Sequence, residues 1–104
     1  MANLPAKVKI GGMNVTIKYV DRKKIKGDAI FSRIGMNTLI DRELCREQKL
    51  AAIIHESLHA MFAERCLGHK FKARDEEYIV KHLEPAIHAW IKDNPTLIKS
   101  IMKG

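Results

Sequence analysis

LAAIIHESLHAMFA, residues 50–63, decides how this chain of 104 residues must be read. His55, Glu56, Ser57 and His59 are its only polar side chains among ten apolar ones. The surrounding residues keep helical spacing from Leu44 to Leu67, with Asp41 as the expected N-cap and Gly68 as the closing residue. A helix this apolar has to be mostly buried. An unpaired carboxylate buried with it costs several kcal/mol unless it is neutralised, hydrogen-bonded or set beside a cation. The polar cluster in this window therefore needs a chemical reason.

Upstream the period changes from helical to alternating. In KVKIGGMNVTIKYV, residues 7–20, Val8 and Ile10 precede Gly11-Gly12, and Val15, Ile17 and Tyr19 follow it. This is the pattern of a β-hairpin with a flexible turn. After a basic turn at 21–28, Ala29 to Ile34 and Asn37 to Ile40 read as two further short strands broken at Gly35-Met36-Asn37. The expected sheet has three or four strands of antiparallel type. Downstream, a second helix is expected from Ala73 to about Asp93, with Ile79, Val80, Leu83, Ala86, Ile87 and Trp90 on one face. Pro85 should kink or split it, Asn94-Pro95 should end it, and Thr96 can cap a short final helix through Leu97, Ile98 and Ile101. Strands first and helices after define an α+β domain with a helical layer on one sheet.

The length suits a single domain over residues 1–104. Hydrophobic residues at 46% and charged residues at 30% exclude the disordered and low-complexity classes. The longest purely apolar run, Leu50 to Ile54, falls far short of the roughly 20 residues a bilayer span needs. The N-terminus has no apolar signal-peptide region, so a cytoplasmic location is expected. Cys45 and Cys66 form no paired motif, which argues against a disulfide framework and for a reducing compartment. The net charge of +7 is uneven: residues 1–33 hold eight Lys and Arg against Asp21 and Asp28. This basic half either contacts nucleic acid or another polyanion, or forms the solvated outer face of the sheet. Without interleaved aromatics it offers no stacking platform.

His55 and His59 are four residues apart, so they lie on one helical face and can converge on a metal. Glu56 projects to the edge of that face, where it can reach a water beside the ion. This is the H-E-x-x-H pattern of zinc hydrolases, with two histidine ligands and a glutamate general base. Zinc lowers the pKa of bound water to about 7, and the glutamate can carry the proton to a leaving amine. The alternative, two surface histidines and a solvated glutamate, needs a polar face that this window lacks. A third ligand is required. The metzincin extension is excluded, because Phe62 and Arg65 stand where Gly and His are needed. Among Asp75, Glu76 and Glu77, Glu76 shares the inward stripe with Ile79, Val80, Leu83 and Ile87 and is preferred, with Glu77 and His69 as alternatives. Otherwise these acids complement the helix dipole. His82 can orient a ligand or stabilise an oxyanion, and Tyr78 can donate to one, although core or solvated roles suit them, His88 and Trp90 as well.

The Gly68-His69 pair after the motif resembles the SprT-like metalloproteases that act on DNA-bound proteins, but it follows His59 by only ten residues, a shorter gap than that family usually shows. A wider resemblance covers roughly residues 25–98. Asn37 to Asp41, Ile54 to Phe62, Asp75-Glu76-Glu77-Tyr78-Ile79-Val80 and Asp93-Asn94-Pro95 look like the small phage and prophage zinc-metallopeptidase-like proteins. These are minimal gluzincin-type domains related to the ImmA/IrrE peptidases. The resemblance implies a minimal zincin-like fold, zinc held by His55, His59 and an acid of the Glu76-Glu77 pair, Glu56 as general base, and a peptide or protein substrate. The larger relatives are similar in cleaving repressor-type regulators, through added domains this chain lacks.

The expected activity is peptide-bond hydrolysis, with substrate added as a strand along the sheet edge. The rival is a basic nucleic-acid- or protein-binding module whose zinc is structural or vestigial. A structural site needs four protein ligands, so Cys45, Cys66 or His69 would have to complete it. Cys66 lies about two turns, or roughly 10 Å, beyond His59. The two readings part at Glu56, for which a structural zinc has no use.

Overall fold

The alternating N-terminal stretch forms the expected hairpin in the computed structural model, which describes residues 4–32, 34–65 and 67–103. Strands β1 (Lys7–Ile10) and β2 (Met13–Val20) pair antiparallel, with Val8 opposite Val15. Gly11 and Gly12 turn between them at φ 57° and 84°, the left-handed pair that a two-residue hairpin of this twist requires. The basic segment that follows makes a single 3-10 turn at Arg22–Lys24, where Asp21 caps by accepting from the Lys23 N–H at 3.0 Å.

Strands β3 (Ala29–Ser32) and β4 (Asn37–Asp41) form a second antiparallel pair. β3 ends at Ser32, short of the expected Ile34, and Arg33 lies outside the described residues. The sheet order is β1-β2-β4-β3, and β2 runs parallel to β4, with Thr16 beside Asn37 and Val20 beside Asp41. The sheet is therefore mixed, not of the antiparallel type expected. The 21–28 connection carries the chain past the position next to β2 to the far edge. The tight turn after β3 then returns β4 into the gap.

One face of this sheet is apolar. Ile10, Val15, Ile17 and Ile40 are buried on it, with Val8, Ala29 and Phe31 packed around them. Helix α1 (Arg46–Glu64) lies across that face, with Ile53 against Ile17 and Ile40, and Ala60 against Ile10 and Val15. Its other side meets α2 (Ala73–Asp93), where Leu58 and Phe62 enclose Val80. The layers run sheet, α1, α2, and α1 is covered on both sides, as its composition demands. A short helix α3 (Pro95–Lys103) follows. Among the described residues no helix is long and apolar enough to cross a membrane.

Several helix ends differ from expectation. Asp41 is not the N-cap of α1. The parallel register holds it in β4, where its buried carboxylate accepts from the Glu43 N–H at 2.9 Å and meets Arg22 at 3.4 Å. Cys45 occupies the cap position instead, its N–H donating to Gln48 Oε1 at 3.0 Å. At its other end α1 stops at Glu64, and Gly68 sits inside a 3-10 turn at Leu67–His69. Cys66 lies outside the described residues. α2 continues through Pro85 without splitting; Lys81 and Pro85 are exposed, so water can replace the lost donor. Thr96 is within α3, not its cap: Asn94 precedes the helix and accepts from the Ile98 N–H at 3.1 Å.

Candidate metal centre

His55, Glu56 and His59 of α1 face a cleft of about 580 Å³ beside the edge strand. Its walls come from three places. Ala29, Ile30 and Phe31 of β3 form one side, His55, Glu56, His59 and Ala63 of α1 form the floor, and Glu76 and Glu77 at the start of α2 close it, with His69 at the margin. The sequence builds this locally. One helical turn stacks His55 under His59, with ring centroids 5.2 Å apart, and packing at Val80 lays the first turns of α2 over them.

Glu77 spans the two histidines. One carboxylate oxygen is 2.8 Å from His55 Nε2 and the other 3.0 Å from His59 Nε2. The three donor atoms all lie within 4.8 Å of one another, forming a group able to hold a metal ion. The donor set, two imidazole nitrogens and a carboxylate, is of a kind that suits a divalent metal such as zinc. Glu76, the acid preferred from the sequence, occupies a different position. Its Oε2 is 2.5 Å from His59 Nδ1, on the back of the ring. Being inward on the helix brings Glu76 behind the histidine, whereas the more exposed Glu77 reaches across the mouth. Its side chain is 51% exposed against 19% for Glu76.

Glu56 is buried beside this group. Burial raises its carboxyl pKa; the neighbouring His55 and His59 and a hydrogen bond to the Phe31 backbone pull it down, Glu77 pushes it up, and the net direction is upward. A carboxyl so placed holds a proton more readily than an exposed glutamate, which suits a group that takes and returns one. His59 responds to the same crowding. Burial disfavours its charged form, but the bond to Glu76 and the charges of Glu56, Glu77 and Glu76 outweigh that and raise its pKa.

The other residues singled out from the sequence fall elsewhere. His69 lines the cleft but is exposed and outside the metal-ligand group. His82 Nδ1 donates to the Tyr78 carbonyl at 2.8 Å, its ring 4.2 Å from the Tyr78 ring, and both side chains face solvent on α2. Trp90 is half-exposed and Cys45 is exposed. The sequence reading assigned no residue of β3 to the site, where Ala29, Ile30 and Phe31 wall the cleft beside Glu56. The signal was the placement of β3 at an edge, which follows only once β4 is known to sit beside β2. Comparison with protein-family models, curated proteins and solved structures finds no match to this chain.

Proposed function

We propose that this chain is a zinc-dependent metallopeptidase of minimal zincin-like build, working in a reducing, cytoplasmic setting on a peptide or protein substrate. The observation that carries the reading is the convergence of His55 Nε2, His59 Nε2 and the Glu77 carboxylate next to a buried Glu56. His55, His59 and an acid of the 76–77 pair would hold the ion, Glu77 by its place in the group. A zinc ion held there supplies Lewis-acid polarisation of a carbonyl and an acidified water.

The protein's own groups do the rest. Glu56 takes the proton from the attacking water and delivers it to the leaving amine, a cycle helped by its raised pKa. Glu76 fixes the orientation of the His59 ring through Nδ1, leaving Nε2 directed at the ion. β3 is an edge strand along the cleft, with no strand on its outer side among the described residues, and an extended peptide can add there as a further strand.

The test begins with protein purified without chelator or metal-affinity tag, analysed for bound metal by elemental mass spectrometry. About one zinc per chain is expected. A proteome-derived peptide mixture, read for new termini by mass spectrometry, then compares the native chain with Glu56→Gln. The variant should keep its zinc and lose hydrolysis by at least about 100-fold. Absence of metal after zinc is supplied, or undiminished cleavage by the variant, would overturn the reading.

A further inference from the structure

The two faces of the sheet have opposite chemistry. α1 covers the inner face, and α2 packs on the far side of α1, so among the described residues the outer face carries no helix. By strand alternation this bare face presents Lys7 and Lys9 from β1 and Asn14, Thr16 and Lys18 from β2, all exposed. No acid occurs anywhere in residues 7–20. The connection after β2 adds exposed Lys23, Lys24 and Lys26.

Charge pairing sharpens the contrast. The two acids of the connection are engaged by arginines, Asp28 with Arg22 at 3.6 Å and Asp21 with Arg42 at 3.6 Å. Among the described residues Lys7, Lys9, Lys18, Lys23, Lys24 and Lys26 have no carboxylate within 4.0 Å. The remaining acids stand at or after Asp41, and three of the ten, Glu56, Glu76 and Glu77, line the cleft. The molecule thus has a cation-attracting cleft and, on the other side of the sheet, a positive plane.

We propose that this outer sheet face, with the 21–28 connection, docks on the phosphodiester backbone of double-helical nucleic acid, independently of the metal centre. Charge complementarity selects a polyanion. The aromatic ring nearest the lysines, Tyr19, packs inward and its hydroxyl donates to the Pro5 carbonyl at 2.9 Å, so nothing on this face stacks an unpaired base. Of the apolar residues on this face, Val20 ends β2, Leu39 stands beside Lys18 and Ile30 beside Leu39; none lies among Lys7, Lys9, Asn14 and Thr16 to form a wedge for a lipid surface. Contacts of lysine, asparagine and threonine side chains with phosphates position a protein on a duplex without reading its sequence.

The test is fluorescence anisotropy of a labelled 20-base-pair DNA duplex of arbitrary sequence, titrated with the full chain at 50, 100 and 200 mM salt. Three to five phosphate contacts give a log–log salt slope of about −3 to −4.5. The triple variant Lys7→Gln, Lys9→Gln, Lys18→Gln should weaken binding at least tenfold at 100 mM salt, as should Lys23→Gln, Lys24→Gln, Lys26→Gln. Removing the same charge far from this face, by Lys92→Gln, Lys99→Gln, Lys103→Gln, should change affinity less than twofold. All these positions are exposed, and unchanged circular dichroism and melting confirm the folds. Equal losses from all three variants would mean net charge alone is responsible and would overturn the proposal. So would absence of binding at 50 mM, or preference for vesicles of anionic phospholipid over the duplex. Zinc content and peptide cleavage by the sheet-face variants report separately on the metal centre.

Discussion

Helices α1 and α2 are nearly equal in length, 19 and 21 residues, yet α1 buries five of its residues and α2 only Val80. α1 is a middle layer with partners on both sides, and α2 is a cover held mainly where Val80 enters between Leu58 and Phe62. The difference shows how the candidate site is made. The buried helix supplies two histidines whose positions are fixed by packing, and the exposed helix supplies carboxylates long enough to reach them. Beyond Val80, α2 and α3 leave Leu83, Trp90, Ile91, Leu97, Ile101 and Met102 largely exposed, so this part of the chain adds little to the core.

The strongest way to break the contrast is to disrupt the point where the cover is most deeply anchored. Val80→Asp places a carboxylate at a fully buried position and should cost several kcal/mol, enough to unfold the chain or release α2 and with it Glu76 and Glu77. Urea denaturation and zinc content would both register it. Ile101→Ser on α3, 60% exposed, should stay within about 0.5 kcal/mol of the native chain. Equal effects from the two would mean that the cover is held along its whole length.

The next largest effect divides the two acids of α2. Glu77→Gln should weaken zinc binding more than Glu76→Gln, for which a loss of about 10- to 100-fold is expected from the misoriented His59 ring. Competition with a chromogenic zinc chelator measures both. The reverse order would move the ligand role to Glu76 and make Glu77 the orienting group.

A smaller effect follows from protons. In the metal-free protein the folded pKa of His59 is raised above its ordinary 6.5 and that of Glu56 above its ordinary 4.5. Each favours the folded state when protonated. Its contribution is fully present below the ordinary value and is lost as pH rises through the folded one. With chelator present, the urea midpoint should therefore fall as pH is raised above 6.5. With zinc the trend should reverse, because the ion binds the deprotonated ligands. A midpoint in chelator that rises over this range would show that the carboxylates around His59 do not hold its proton.

Much of this was legible from local pattern. The period-2 run at 7–20, the Gly11-Gly12 turn and the extent of α2 follow from alternation, left-handed turn geometry and helical spacing, which depend on neighbours in sequence. The features that were not legible depend on partners remote in the chain. Asp41 looks like a helix cap until β2 and β4 are aligned and Arg22 is brought against it. Gly11 has a tertiary demand as well, since a Cβ there would collide with the Glu64 side chain at the end of α1. The pair His55 and His59 could be placed by counting residues on one helix. Neither Glu76 behind His59 nor Glu77 across both histidines could be placed without knowing how α2 packs on α1.

The insertion of β4 between β2 and β3 also orders events in time. The β1–β2 hairpin closes through two residues and can form early, whereas β4 reaches its parallel neighbour only after the chain from Asp21 to Met36 has been looped back. β3 joins the sheet through β4 alone, and α1 needs the finished sheet beneath it before α2 can settle on top. The cleft, drawn from β3, α1 and α2, is thus completed last. A nascent chain of this fold therefore brings His55, His59, Glu76 and Glu77 together only when the rest of the domain is already in place.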